Sequence, residues 1–176
     1  MGTNAVDQRD GGEMRAFYIR LFWRDHLMDN YGMERDNFYS PTNPAWNADR
    51  FWTMGNHAVI SYSYFGNRPG LEDPAYSGLS SRFADARRPV FPRRVTDDPY
   101  APFLVTDLNR QWPAGSGSFV TPGDPGRWGA NHLYGGDGIG DHPTGSHGGR
   151  LDGSVTWVHG EDVKERFLLV DTLYFW

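Results

Sequence analysis

The sequence predicts an α+β domain, and three observations carry that prediction. One strong helical pattern stands near the N-terminus, a few short alternating segments follow it, and the stretches between them are long and rich in glycine and aromatic rings. No period of about 20 to 50 residues recurs, which sets aside a solenoid. The 176 residues and 38% hydrophobic content fit one domain with a packed core. Residues 1–13 read as a flexible polar tail and 14–176 as the single domain.

From Met14 to Asn30 the spacing predicts a helix. Phe17, Tyr18, Leu21 and Phe22 form a stripe that Leu27 and Met28 continue, while Arg15, Arg20, Arg24 and Asp25 face water. Asn30 followed by Gly32 is a stop signal. The segment NFYSPTNPAWN reads as an ordered turn region, and a short second helix covers Ala48 to Gly55. AVISYSYF, residues 58–65, is the best mid-chain strand, and PFLVTDL, 102–108, is another. Between them, Arg82 to Arg94 reads as a loop or short helix in which Arg87, Arg88, Arg93 and Arg94 pair with Asp85, Asp97 and Asp98. Thirteen of the 22 glycines lie between Gly115 and Gly153, so residues 111–153 read as a long structured loop. SVTWVH, 154–159, alternates cleanly as a strand, and the tail FLLVDTLYFW reads as one more.

Composition narrows the function. A net charge of −5 argues against a general nucleic-acid binder, whose affinity comes from neutralising phosphates. With no cysteine there is no disulfide, no thiolate-bound zinc and no thiol nucleophile. No apolar run approaches the roughly 18 residues of a membrane span, so this chain reads as soluble. Gly and Pro are abundant, yet so are aromatics at 15%, including seven Trp. That pairing describes irregular segments pinned by large rings rather than disorder.

The chemistry-bearing residues concentrate late in the chain. His132, His142, His147 and His159 share that region with Asp124, Asp137, Asp141, Asp152 and Asp162. GGDGIGD, 135–141, resembles a loop whose carbonyls and carboxylates enclose a hard cation, so Ca²⁺ is the favoured ion, with Asp137 and Asp141 as ligands and Asp124 and His132 as further candidates. Zn²⁺ is the competing ion, which His132, His142, His147 and an Asp would hold if they converge. Ser146 lies in GSHGG without the preceding glycine of a nucleophile elbow, so it reads as a turn residue. A metal-activated water with His142 or His147 as base is the more credible hydrolytic route, with Asp152 also a candidate.

His142, nine intervening residues and Asp152-Gly153 form the signature of the pseudopilin-like, prepilin-type processing-associated H-X9-DG proteins, which this chain resembles over residues 14–166. LDGSVTWVHGEDVKERF resembles their terminal strand, and FYSPTNPAW their F-Y-C-P-S-x-P segment with Ser40 in place of cysteine. Asn131-His132 fits the same pattern. The resemblance implies a pilin-like fold, an N-terminal helix on a small antiparallel sheet, as the soluble portion of a protein anchored by a hydrophobic helix that is missing here. It also implies a periplasmic, extracellular or membrane-anchored location, partners among other pseudopilins or a secretion or pilus-like assembly, and a calcium-bearing C-terminal loop. In the motif itself, Asp152 and Gly153 make a tight turn before the strand, and His142 is expected to bond that turn and close the loop.

Three functions follow from these readings. The first is a structural or assembly domain with a calcium-stabilised loop. The second is a metal-dependent hydrolase acting on a small-molecule ester or lactone. The third is a carbohydrate- or surface-binding module that uses exposed aromatics.

Overall fold

A computed structural model describes residues 15–65, 94, 96, 103–112, 116–119, 129–133, 142–169 and 172–175. The tail 1–13, nearly all of the arginine segment and the GGDGIGD loop with Asp137 and Asp141 lie outside the described residues, as does Asp124. The architecture is α+β, and the described residues form two helices and nine short strands in three antiparallel sheets. No helix among the described residues is long and apolar enough to cross a membrane.

The first element corrects the sequence reading. Tyr18–Arg20 is a strand, β1, and the helix α1 occupies only Leu21–Tyr31. The cause is burial on all sides: Ala16, Phe17, Tyr18 and Ile19 are each at most 8% exposed, which a one-sided helical stripe would not achieve. Within α1 no residue is buried, and Phe22 of the expected stripe is 68% exposed. Leu21, Leu27 and Met28 still lean on the core. Arg24, expected to face water, lies with its guanidinium 4.4 Å from the centroid of the Trp52 ring. The helix ends as its glycine dictates, with Gly32 at φ 65° donating its N–H to the Leu27 carbonyl.

A four-residue helix α2, Asp49–Trp52, leads through Gly55 into β2, His57–Val59, which pairs with β1. The single strand expected at 58–65 is two strands, because β3, Tyr62–Tyr64, pairs with a different partner, β4, Val105–Asp107. At the crossover the Ile60 N–H donates to Phe17 and the Ser61 N–H to Phe38, so the backbone stays satisfied while the chain changes sheets.

The glycine-rich segment holds the largest surprise. Gly145–Gly149 is a strand, β6, where a loop was expected, and it pairs with β4 on one side and with β7, Val155–His159, on the other. Glycine suits this strand because neighbouring rings occupy the space of its missing side chains. A Cβ on Gly148 would collide with the Phe103 ring, and one on Gly145 with the Trp157 indole. The sheet order is β3-β4-β6-β7. Its β6–β7 turn contains Gly153 at φ 83°, and the Asp152 carboxylate accepts the Ser154 N–H at 2.9 Å.

The tail is likewise two strands rather than one. β8, Glu165–Leu169, and β9, Thr172–Phe175, form a hairpin, and β9 also pairs with β5, Arg110–Gln111. Tyr174 carries this sheet back to the N-terminal strand, its hydroxyl accepting the Ala16 N–H at 3.0 Å. The main core gathers Phe17, Phe38, Trp46, Phe51, Phe65, Phe103 and Leu108, and a smaller cluster holds Phe119, Ala130 and Leu133.

Candidate metal centre

Strand register places four side chains in a row across one sheet. Tyr62 on β3 pairs with Asp107 on β4, the Thr106↔Gly148 register sets Asp107 opposite His147 on β6, and His147 pairs with Trp157 on β7. Residues opposite one another on adjacent strands project to the same face, so the row brings a carboxylate, an imidazole and two aromatic rings together.

His132 joins from outside the sheet. Its segment is held by an Asn109↔Ala130 bridge and a Leu133↔Pro143 bridge, and the Thr144 N–H donates to the His132 carbonyl at 2.7 Å. The outcome is convergence on one atom. Asp107 Oδ2 lies 2.9 Å from His147 Nδ1, 3.1 Å from His132 Nε2 and 2.6 Å from the His147 backbone nitrogen. The ligand atoms of Asp107, His132 and His147 all lie within 4.8 Å of one another, and the group could hold a metal ion.

The other carboxylate oxygen is braced from behind. Asn131 Nδ2 donates to Asp107 Oδ1 at 3.0 Å and to the Ser61 carbonyl at 2.7 Å. Asn43, fully buried in the turn region, donates to Asn131 Oδ1 at 3.4 Å and to the Ala130 carbonyl at 3.3 Å. This second layer fixes the carboxylate so that Oδ2 faces the imidazoles. Burial alone would push the Asp107 carboxyl up. The hydrogen bonds from His132, Asn131 and the His147 backbone, with the charge of His132, outweigh it and hold the group below the usual carboxylate range. Burial, and then the Asp107 charge, raise the Tyr62 phenol.

Exposure rises from back to front. The Asp107 side chain is 4% exposed, His132 20% and His147 51%. Trp157 forms one wall, its ring centroid 5.3 Å from that of His132 and 4.6 Å from that of His147. A tetrahedral zinc site with ligands at about 2.0–2.2 Å separates them by about 3.3 Å. The observed 2.9 and 3.1 Å to the shared oxygen need open by only a few tenths of an ångström.

Among the described residues singled out in the sequence, His132 and His147 meet here, whereas His142, Asp152 and Ser146 stand elsewhere. His142 is exposed beside Phe119, with a ring separation of 5.8 Å, and it makes no hydrogen bond to the Asp152 turn that it was expected to close. Asp152 is exposed at the β6–β7 turn, where hydrogen bonds from Ser154 lower its carboxyl, and Gly153 supplies the positive φ beside it. Ser146 is buried within β6 rather than placed in a turn, its hydroxyl donating to the His147 carbonyl at 3.4 Å. Asp107 was missed. It lies inside the apolar run 102–108, and an acid inside such a run is the signal that a buried carboxylate needs partners.

Compared with models of known families, with curated proteins and with solved structures, the chain matches none.

Proposed function

We propose that this protein is a pseudopilin-like extracytoplasmic structural domain whose glycine-rich sheet is clamped by a Zn²⁺ ion on Asp107, His132 and His147. The observation that carries the reading is the meeting of two imidazole nitrogens and one carboxylate oxygen, from three separate chain segments, within 4.8 Å. Two nitrogens and one oxygen suit zinc, whereas calcium takes six to eight oxygens. The calcium expectation rested on Asp137 and Asp141, which the described residues do not include. The H-X9-DG resemblance supports the structural role and the assembly partners, and the tight turn formed by Asp152 and Gly153 is in keeping with it.

Such an ion ties the 129–133 segment to β4 and β6. Zinc at a hundredfold excess over its Kd adds about 2.7 kcal/mol of stability. Thermal melts of EDTA-treated protein with added Zn²⁺, and separately with Ca²⁺, test this. Zinc is expected to raise Tm and calcium to leave it unchanged, with the zinc shift lost in His147→Ala. A melt indifferent to zinc overturns the clamp.

One observation favours a second reading, a metal-dependent hydrolase. Three protein ligands with His147 half exposed leave a fourth position facing solvent, as catalytic zinc sites do. There the ion would lower the pKa of a bound water to about 7. Hydrolysis of small esters or lactones, abolished by chelation and by His147→Ala with the fold intact, would select it over the structural role.

A further inference from the structure

The sheet that carries the metal group has one edge taken and one edge open. At β3 the outward Tyr64 N–H donates to the Ala16 carbonyl at 2.9 Å, so the N-terminal segment occupies that side. At the opposite edge stands β7. We propose that β7 pairs with β7 of a second copy of this chain, antiparallel about a twofold axis at Trp157, joining two four-stranded sheets into one.

The direction of the backbone groups carries the proposal. The Gly160 N–H donates to the Thr144 carbonyl at 2.8 Å, and the Arg150 N–H to the Ser154 carbonyl at 2.9 Å. Hydrogen-bonded pairs alternate along an antiparallel ladder, so Thr156 and Val158 also turn their backbone groups toward β6. Val155, Trp157 and His159 turn theirs outward. The His159 carbonyl accepts the Val163 N–H at 3.1 Å, and the other outward groups meet no partner among the described residues. They are also uncovered: Val155 is 67% and Trp157 36% exposed, and Thr156 and His159 are exposed as well.

A row of unpaired donors and acceptors is a template for another strand, and β7 matches itself. In the twofold register Trp157 faces its own counterpart and exchanges two hydrogen bonds with it, while the His159 N–H reaches the Val155 carbonyl of the copy. On the other face Thr156 meets Val158. The five residues VTWVH include no Asp, Glu, Lys or Arg, so no like charges oppose one another across the axis. Neither lysine, proline nor a bulge, the devices that protect an exposed edge, interrupts the strand. Because the β3 edge is occupied, pairing through β7 closes at two copies instead of growing into a fibre. The turns at Gly153 and Gly160–Asp162 confine the contact to five residues, which makes it a small and reversible interface.

Sedimentation and amide exchange of the whole chain test the proposal. Between about 10 μM and about 1 mM the mass is expected to double, with the Trp157 and His159 amides becoming protected over the same range. The Thr156 and Val158 amides, bonded to β6, should be protected throughout. Val155→Pro removes an outward N–H and no bond to β6, and is expected to weaken the dimer at least about tenfold. Val155→Lys, which sets a cation on the edge, should do the same if the proline variant fails to fold. A chain that stays monomeric at about 1 mM overturns the proposal. So does a dimer whose Trp157 amide exchanges freely, or one equally strong in the variants. Protection of Trp157 at every concentration in a monomer, which would place another part of the same chain on the edge, overturns it too.

Discussion

Around Trp46 the molecule is held by rings, whereas around Asp107 it is held by hydrogen bonds to a single carboxylate. In the first region Phe17, Phe38, Trp46 and Phe51 bury large apolar surfaces, and Trp46 is 1% exposed. In the second, three of the five residues of β6 are glycine, and four of the five residues of β7 are exposed. A sheet short of apolar side chains draws its definition from backbone pairing and from the groups gathered on Asp107. The difference teaches that a defined structure can rest on surface area in one place and on a few directed contacts in another. The second kind can be adjusted by an ion.

Two substitutions should cost the most and should separate the regions. Trp46→Ala removes packing worth about 3–5 kcal/mol. Asp107→Ala strands the donors that converge on it, at a similar cost of about 3–5 kcal/mol. Urea unfolding measures both. Zinc distinguishes them: the Tm shift should survive in Trp46→Phe and vanish in Asp107→Asn. Loss of the shift in both would mean that the two regions are not separable in this way.

Acid should then pick out the carboxylate. Asp107 has a folded-state pKa below its unfolded value of about 3.9, so it adds stability above that pH and loses it as pH falls through the folded value. Urea midpoints followed from neutral to strongly acidic pH should fall less steeply in Asp107→Asn than in the parent. Parallel curves would remove Asp107 from the acid response.

The smallest effects belong at the surface. Gly153→Ala must adopt φ 83° without glycine's freedom and should cost about 1–2 kcal/mol. Phe22→Ser, at a site 68% exposed, should change stability by less than about 0.5 kcal/mol. A larger loss at Phe22 would show that α1 depends on its outer face.

The α+β class, the glycine stop of α1 and the strand at 155–159 were legible because each has a local signature. Residues 16–20 were not, since four consecutive apolar residues satisfy a helical stripe and a doubly buried strand equally well. β6 was hidden because its pairing depends on the rings of Phe103 and Trp157, which no reading of glycine alone supplies. The histidines announced a site, but their selection is set by register. His147 falls opposite a carboxylate forty residues earlier in the chain, while His142 lies outside the strand altogether. No spacing rule within the histidine cluster points that far back.

The two buried amides behind the carboxylate have a polarity. Asn43 hands a hydrogen to the oxygen of Asn131, and Asn131 hands hydrogens on to Asp107 and Ser61, so each link points the same way. Such a line can be read in only one direction. Exchanging the Asn131 nitrogen for oxygen, as in N131D, would set two acceptors face to face at the 3.0 Å now spanned by a bond. It would turn a brace into a wedge driven between the turn at Asn43 and the sheet.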